Sequence, residues 1–329
     1  MSRGFDGFEI DSFRNSDFGS RHDMGRGSST DWSPRTKLQD IHRKENGADS
    51  LDREGQKVSD RERPPLAREA RVHAIVSQRT RTKYADRNKD YCLRDSEVHT
   101  LSEVGRFRVV ATNDLANFAY AGNDDRMKSD IRNLTEQGLI EQRNTSILKK
   151  ESRQALTLTR QGYRFIRRQE FLPEDQAIYH GFVKPKEANH DADLYRLYHR
   201  VADKIERERG RVLRVALDYE LKEKLYKKLG EAQARDDARL DLQKQTFARQ
   251  LELPVVEGKV ILPDMRIEYE THEGERARVD VELATSDYHG NHLAEKAKAG
   301  FQIYARSQDA DGLRRIRDER EITTAILSF

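Results

Sequence analysis

Before about position 66 this sequence carries no apolar periodicity, and after position 90 it carries apolar residues at regular spacing almost throughout. That contrast constrains the fold more than any motif does, because only a stretch with a repeating apolar face can bury a core. In residues 1–65 Gly, Ser, Asp and Arg dominate and both charge signs alternate. Such a segment cannot offset the entropy lost on ordering, so a disordered N-terminal tail is expected. Its single tryptophan, Trp32, stands beside Ser33 and Pro34 and has two readings, a stray aromatic or a short partner-docking motif. Residues 66–92 are arginine-rich (Arg68, Arg71, Arg79, Arg81, Arg87), with Val72, Ile75 and Val76 at helical spacing. A helix, a basic arm that meets phosphates and a charged linker all fit this stretch.

Composition narrows the classes further. Apolar residues make up 35% and charged residues 36% of the 329, so only part of the chain can be core. The net charge of +3 points to no partner, and positive charge has to be sought locally. With Cys92 as the one cysteine, no disulfide can form within the chain and no zinc site can be built from cysteines. Cys92 reads as a small packing residue. No run approaches the ~20 apolar residues of a membrane helix, and the N-terminus lacks an apolar signal segment. The expectation is a soluble cytoplasmic protein with no membrane partner. There is no Walker-type glycine loop and no Ser/His/Asp or Cys/His set. Among the scattered histidines His180, His190, His199, His289 and His292, the last two flank Gly290-Asn291 and read either as loop residues or as neighbours of a site.

Residues 93–170 read as helix, strand, helix, helix and hairpin. Val98, Leu101 and Val104 share one helical face, and Phe107 to Val110 reads as a short strand. Leu115, Ala116 and Phe118 mark a second helix. Met127, Ile131 and Leu134 mark a third, capped by Asp124 and stopped at Gly138. Leu139–Glu141 and Ala155–Leu158 read as paired strands, and a helix follows through Tyr163, Phe165 and Ile166. That order, with the phrase Leu134-Thr-Glu-Gln-Gly-Leu-Ile-Glu141, resembles a winged helix-turn-helix. With Met127, Ile131 and Leu134 inward, Arg126, Lys128, Ser129, Arg132 and Asn133 point outward, where Arg and Asn can read base edges and Lys and Arg can grip phosphates. Arg143, Lys149, Lys150 and Arg153 suit a wing lying on the backbone of double-stranded DNA. The other reading is a small helical unit with a solvated basic face, or a winged helix used for protein contacts.

Residues 171–189, with Pro173, Gly181 and Pro185, read as a linker, and 190–329 as a second unit. There the spacing predicts a helix over 191–209, a strand over 211–217 and a helical insertion over 219–250. A bent strand or hairpin over 255–270 contains Pro263, and a strand follows over 276–284. A helix over 292–305 and a last strand over 321–329 complete it. Two acids stand on neighbouring predicted strands: Asp264 after Pro263, and Glu282 in Val279-Asp-Val-Glu-Leu283. The order helix, strand, (helical insertion), strand, strand, helix, strand with Pro-Asp and Glu resembles the restriction-endonuclease-like fold, whose signature is Pro-Asp followed by Asp/Glu-x-Lys. The expected fold class is therefore mixed α+β and α/β: a winged helix, then an αβββαβ nuclease-like domain.

What this resemblance implies is a Mg²⁺ site held by Asp264 and Glu282, with a lysine that orients water and meets charge on the phosphate. The lysine expected two residues after the glutamate is replaced by Ala284. Some members of the fold carry it on the next helix, which makes Lys298 the first candidate and Lys296 the second. Asp280 shares the strand face of Glu282 by alternation, and Gln302 lies one turn beyond Lys298. His190-Asp191 opening a helix, the late Pro-Asp, the Val-Glu strand and Lys298-x-x-Phe301-x-x-Tyr304 together resemble the replication-relaxation family of plasmids and integrative conjugative elements, over about 93–329. That resemblance implies DNA binding on a mobile element, in replication or mobilisation, with Mg²⁺-dependent endonuclease activity as one outcome. A non-enzymatic regulator on a degenerate nuclease fold is the first alternative. An accessory subunit that recruits a relaxase, or forms a homodimer through 219–250, is the second.

Overall fold

A computed structural model describes residues 66–87, 89–147, 151–231, 237–286 and 288–329. The expected tail, Trp32, Lys149 and Lys150 lie outside the described residues. The architecture is mixed α/β, with ten helices among the described residues and several sheets. None of these helices is long and apolar enough to cross a membrane.

The arginine-rich stretch forms α1 (Ala67–Ser77) and a hairpin of β1 (Thr82–Asp86) and β2 (Lys89–Leu93). Much of its charge is turned inward. Arg68 reaches His199 and Asp203, and Arg81 pairs with the buried Glu97 at 2.9 Å. Cys92 is exposed between buried Tyr91 and Leu93, because strand alternation turns it outward; it is not the packing residue its small size suggests.

Next come α2 (Asp95–Phe107), β3 (Val110–Ala111), α3 (Thr112–Ala119), α4 (Asp124–Glu136), β4 (Ile140–Ile147), β5 (Glu151–Leu158) and α5 (Arg160–Gln169). The helix read as ending near 105 runs on to Phe107, which shortens the expected strand to two residues. Asn123, rather than Asp124, caps α4: its Oδ1 accepts from the Arg126 amide at 3.1 Å. β3, β5 and β4 form an antiparallel sheet in that order. Gly162 lets α5 press against the start of β4, since a Cβ there would sit 2.0 Å from the Leu139 carbonyl oxygen.

The long helix α6 (Pro185–Arg207) then leads into β6 (Arg211–Leu217). The predicted insertion resolves into α7 (Asp218–Glu231) and α8 (Asp237–Gln250), which pack Leu221, Leu225 and Ala248 into a small cluster of their own. A two-residue hairpin, β7 (Val255–Val256) with β8 (Lys259–Val260), precedes β9 (Met265–Glu270). Pro263 therefore stands outside the strand it was expected to bend, and Asp264 sits at the strand entrance. β10 (Arg276–Ala284), α9 (Gly290–Lys298), β11 (Gln302–Ala305), α10 (Ser307–Glu319) and β12 (Ile326–Ser328) complete the chain.

Five strands form one sheet in the order β12-β11-β10-β9-β6, antiparallel on the β6 side and parallel from β10 to β12. The helix expected over 292–305 stops at Lys298, because Gly300 (φ +80°) turns the chain. Gln302 is consequently on β11, paired with Val281, and not on a helix face with Lys298. The helix α10 carries little apolar signal beyond Ala310 and Leu313, and the sequence reading passed over it. The main core runs without a break from Leu101, Leu134 and Phe165 through Leu194 and Tyr195 of α6 to Ile267 and Val281 of the five-stranded sheet.

Candidate functional site

The strand pairing aligns the two acids. β9 and β10 are in register from Arg276 opposite Glu270 to Val281 opposite Met265. One step further places Asp264 across from Glu282, at the end of β9 where the ladder stops. The acids are tied there through the backbone: the Asp264 amide donates to Glu282 Oε2 at 3.3 Å, and the Leu283 amide donates to Asp264 Oδ2 at 2.9 Å. Glu282 is 1% exposed.

Cationic and hydroxyl groups then converge from other elements. Lys296 of α9 places Nζ 2.7 Å from Glu282 Oε1 and 2.8 Å from the Leu262 carbonyl oxygen. The Tyr288 hydroxyl donates to the same Glu282 oxygen. His190, on α6, brings Nε2 within 3.5 Å of Asp264 Oδ1. Behind it, Tyr219 donates to Asp191 at 3.1 Å, and the Asp218 amide donates to the Asp264 carbonyl oxygen at 3.0 Å. Asp264, Tyr288, Lys296, Asp218, Lys222 and His292 line a pocket of about 350 Å³.

Electrostatics separate the two acids. Burial alone would raise the Asp264 carboxyl, but the hydrogen bond and charge of His190, the Leu283 amide and Lys296 hold it below its ordinary value. Burial, then the charge of Asp264, pushes Glu282 up to about 7 against the pull of Lys296 and Tyr288. Burial opposes the charged form of His190, yet Asp264, Asp191 and Asp218 raise it to about 9. Near neutrality the site thus holds one firmly ionised carboxylate, one poised to change state and an imidazolium.

Lys296, not Lys298, reaches the acids. Lys298 is exposed and pairs with Glu257 at 2.6 Å, because the short helix α9 turns successive lysines to different sides. Asp280 is held by Arg266 at 2.6 and 2.9 Å and does not join Glu282, although alternation puts both on one strand face. His292 lines the pocket, whereas His289 is an exposed N-cap. Spacing did not single out Tyr288, Asp218 or Lys222. For His190 the only hint was the His-Asp pair at a helix start.

Among the described residues no three His, Cys, Asp or Glu side chains gather into a metal cage. The paired acids still suit a hard cation of the Mg²⁺ type, which binds through one or two carboxylates and keeps several waters. The repulsion that raises Glu282 beside Asp264 is the kind a divalent cation would relieve.

The second candidate surface lies on α4. Lys128, Ser129 and Arg132 are exposed there. Lys128 and Arg132 flank a groove of about 650 Å³ that runs past Asn113, Gln142 and Gln154 over a floor of Ala116, Met127 and Ile131. It is larger than the carboxylate pocket but holds no paired buried acids, so its character is that of a contact surface. Asn133 faces inward, donating to Glu97 at 2.8 Å, and Arg126 donates to the Gln78 carbonyl oxygen at 2.8 Å. Arg143 lies over the Phe182 ring at 4.7 Å and is exposed. No protein-family model matches this chain, and no curated protein is similar enough to match it.

Proposed function

We propose that this protein binds DNA through a winged-helix unit and acts on phosphodiester bonds at a restriction-endonuclease-like site built from Asp264, Glu282 and Lys296. The observation that carries the reading is the meeting of a strand-entrance aspartate, a buried glutamate on the adjacent strand and a lysine from the following helix in one pocket. Asp264 and Glu282 would hold Mg²⁺, which when bound supplies Lewis acidity and lowers the pKa of water. Lys296, pinned by the Leu262 carbonyl, stands where it can meet negative charge on a phosphate. Double-stranded DNA is met by Lys128, Ser129 and Arg132 on α4 and by Arg143 on β4. Arg126 and Asn133 contribute less, because internal bonds occupy them. In line with the sequence resemblance, the setting is a mobile element, in replication or mobilisation, with a relaxase as a candidate partner.

The test is Mg²⁺- and Mn²⁺-dependent cleavage of supercoiled and branched DNA by the parent and by Asp264→Ala, Glu282→Ala and Lys296→Ala. Cleavage by the parent that all three changes abolish is the expected result. A parent that binds DNA without cutting it would move the protein to a second reading, a DNA-binding regulator with a closed site. Ala284 in place of the usual lysine, and the saturation of Glu282 by Lys296 and Tyr288, favour that alternative.

A further inference from the structure

The chain between α2 and β3 makes an unusual turn. Arg108 has φ 65° and ψ −56°, and the Val109 amide donates to the Phe107 carbonyl oxygen at 2.7 Å. This is a γ-turn with positive φ, a strained conformation for a residue with a side chain, and such strain concentrates at functional positions. The Thr157 hydroxyl fixes it by donating to the Arg108 carbonyl oxygen at 2.6 Å. The turn throws the guanidinium onto the face of Tyr219, 4.7 Å from the ring centre. Tyr219 follows Asp218, which lines the carboxylate pocket, and its hydroxyl bonds Asp191 beside His190.

Arg108 also belongs to a second group. His180 packs against Tyr163 of α5 with ring centres 4.9 Å apart. Partial desolvation, then the charges of Arg160, Arg108 and Arg164, makes His180 hold its proton less tightly than usual. Three guanidiniums therefore converge on one imidazole. None of the three forms an ion pair with an acid among the described residues. Gathering like charges without a counter-ion is unfavourable, and a polyanion would relieve it. The rings of Tyr163 and Tyr219, interleaved with these cations, add the stacking faces that unpaired bases use.

We propose that Arg160, Arg164, His180 and Arg108 form a track for the phosphodiester backbone of single-stranded DNA, running from α5 past Tyr219 to the edge of the carboxylate pocket. The proposal rests on the DNA-processing reading above and adds the strand that the pocket receives. It is distinct from the α4 surface, which suits duplex.

The experiment is fluorescence anisotropy on the full chain, without divalent cation, using a labelled single-stranded oligonucleotide and its duplex across a salt series. Arg160→Gln/Arg164→Gln should weaken single-strand binding and reduce the slope of log affinity against log salt by roughly 1 per arginine. Arg108→Gln should do the same by roughly 1, and Arg108→Lys should restore the slope. A matched loss of charge on the α7–α8 pair, Lys227→Gln/Arg239→Gln, should leave it unchanged. If the parent binds single strands and the double variant keeps its affinity and slope, the track is overturned while DNA binding stands. A loss confined to duplex overturns the single-strand assignment, and a parent that binds neither probe overturns track and DNA reading together. Arg160 and Arg164 are exposed on a helix, so the double variant stays decisive if Arg108→Gln fails to fold.

Discussion

Two clusters of buried charge lie along α6, and they are built differently. Toward its C-terminal half, Glu103 of α2 is closed between Arg106 and His199, whose Nε2 lies 3.4 Å away, while Arg68 of α1 caps His199, Asp203 and Glu206. Toward its N-terminal half, His190 faces Asp264, and Lys296 faces Glu282, across a pocket open to solvent. In the first cluster the charge of Arg106, with His199, holds Glu103 far below its ordinary value despite burial. In the second, burial and a neighbouring acid push Glu282 up. The difference teaches that arginine forks can close a buried acid permanently, whereas a single lysine and a histidine leave an acid pair under strain, available to a cation or a substrate.

The largest expected effect would break the closed cluster. Glu103→Ala leaves Arg106 buried beside no carboxylate and should cost about 3–5 kcal/mol, measured by chemical denaturation. A cost under about 1 kcal/mol would mean that water reaches Arg106, and the contrast would fail. The open cluster should respond to metal instead. Mg²⁺ or Mn²⁺ at about a hundred times its dissociation constant should stabilise the parent by about 2.7 kcal/mol in thermal unfolding and leave Asp264→Asn unchanged. Equal shifts in both proteins would place the cation elsewhere.

Smaller effects come with opposite pH signs. Burial, opposed by Glu103, lowers His199 to about 4. Its contribution to stability is therefore full above about 6.5, the ordinary value, and is lost as pH falls from there through about 4. Glu282 has a folded value near 7, so its contribution is full below the ordinary carboxyl value and is lost as pH rises through about 7. Denaturation midpoints across this range should show His199→Gln removing an acid-side loss and Glu282→Gln removing a neutral-side one. Matching slopes in the two variants would erase the distinction. The smallest effect separates the lysines: Lys298→Ala should leave metal-induced stabilisation and any cleavage intact, whereas Lys296→Ala should alter both. Reduced metal-induced stabilisation in Lys298→Ala would restore the lysine first expected from the sequence.

Several features of the site could be read without coordinates, and each had a local cause. Asp264 and Glu282 were visible because period-two patterns put them on strands, and the α4 face because Met127, Ile131 and Leu134 repeat at helical spacing. Lys296 was ranked second because helix spacing was extended through Phe301 and Tyr304, residues whose apolar character serves β11 equally well. Arg126 and Asn133 were read as free for DNA because their outward register is local, whereas the Gln78 carbonyl and Glu97 that occupy them come from other elements. The arginine-rich start looked like an arm because nothing in it reveals that Arg68 and Arg81 meet acids on α6 and α2.

The sequence by itself determined where apolar faces repeat, hence the positions of most helices and strands and the placement of two acids on adjacent strands. Those are properties of short windows, governed by periodicity and backbone sterics. Only the tertiary structure decided which charges are consumed and which remain exposed or poised. It brought His190 to Asp264, chose Lys296 over Lys298, spent Asp280 on Arg266 and turned Arg108 onto Tyr219. The physical reason is that a charge takes its proton affinity and its partners from everything within a few ångströms, and in a folded chain those neighbours come from elements far apart in sequence.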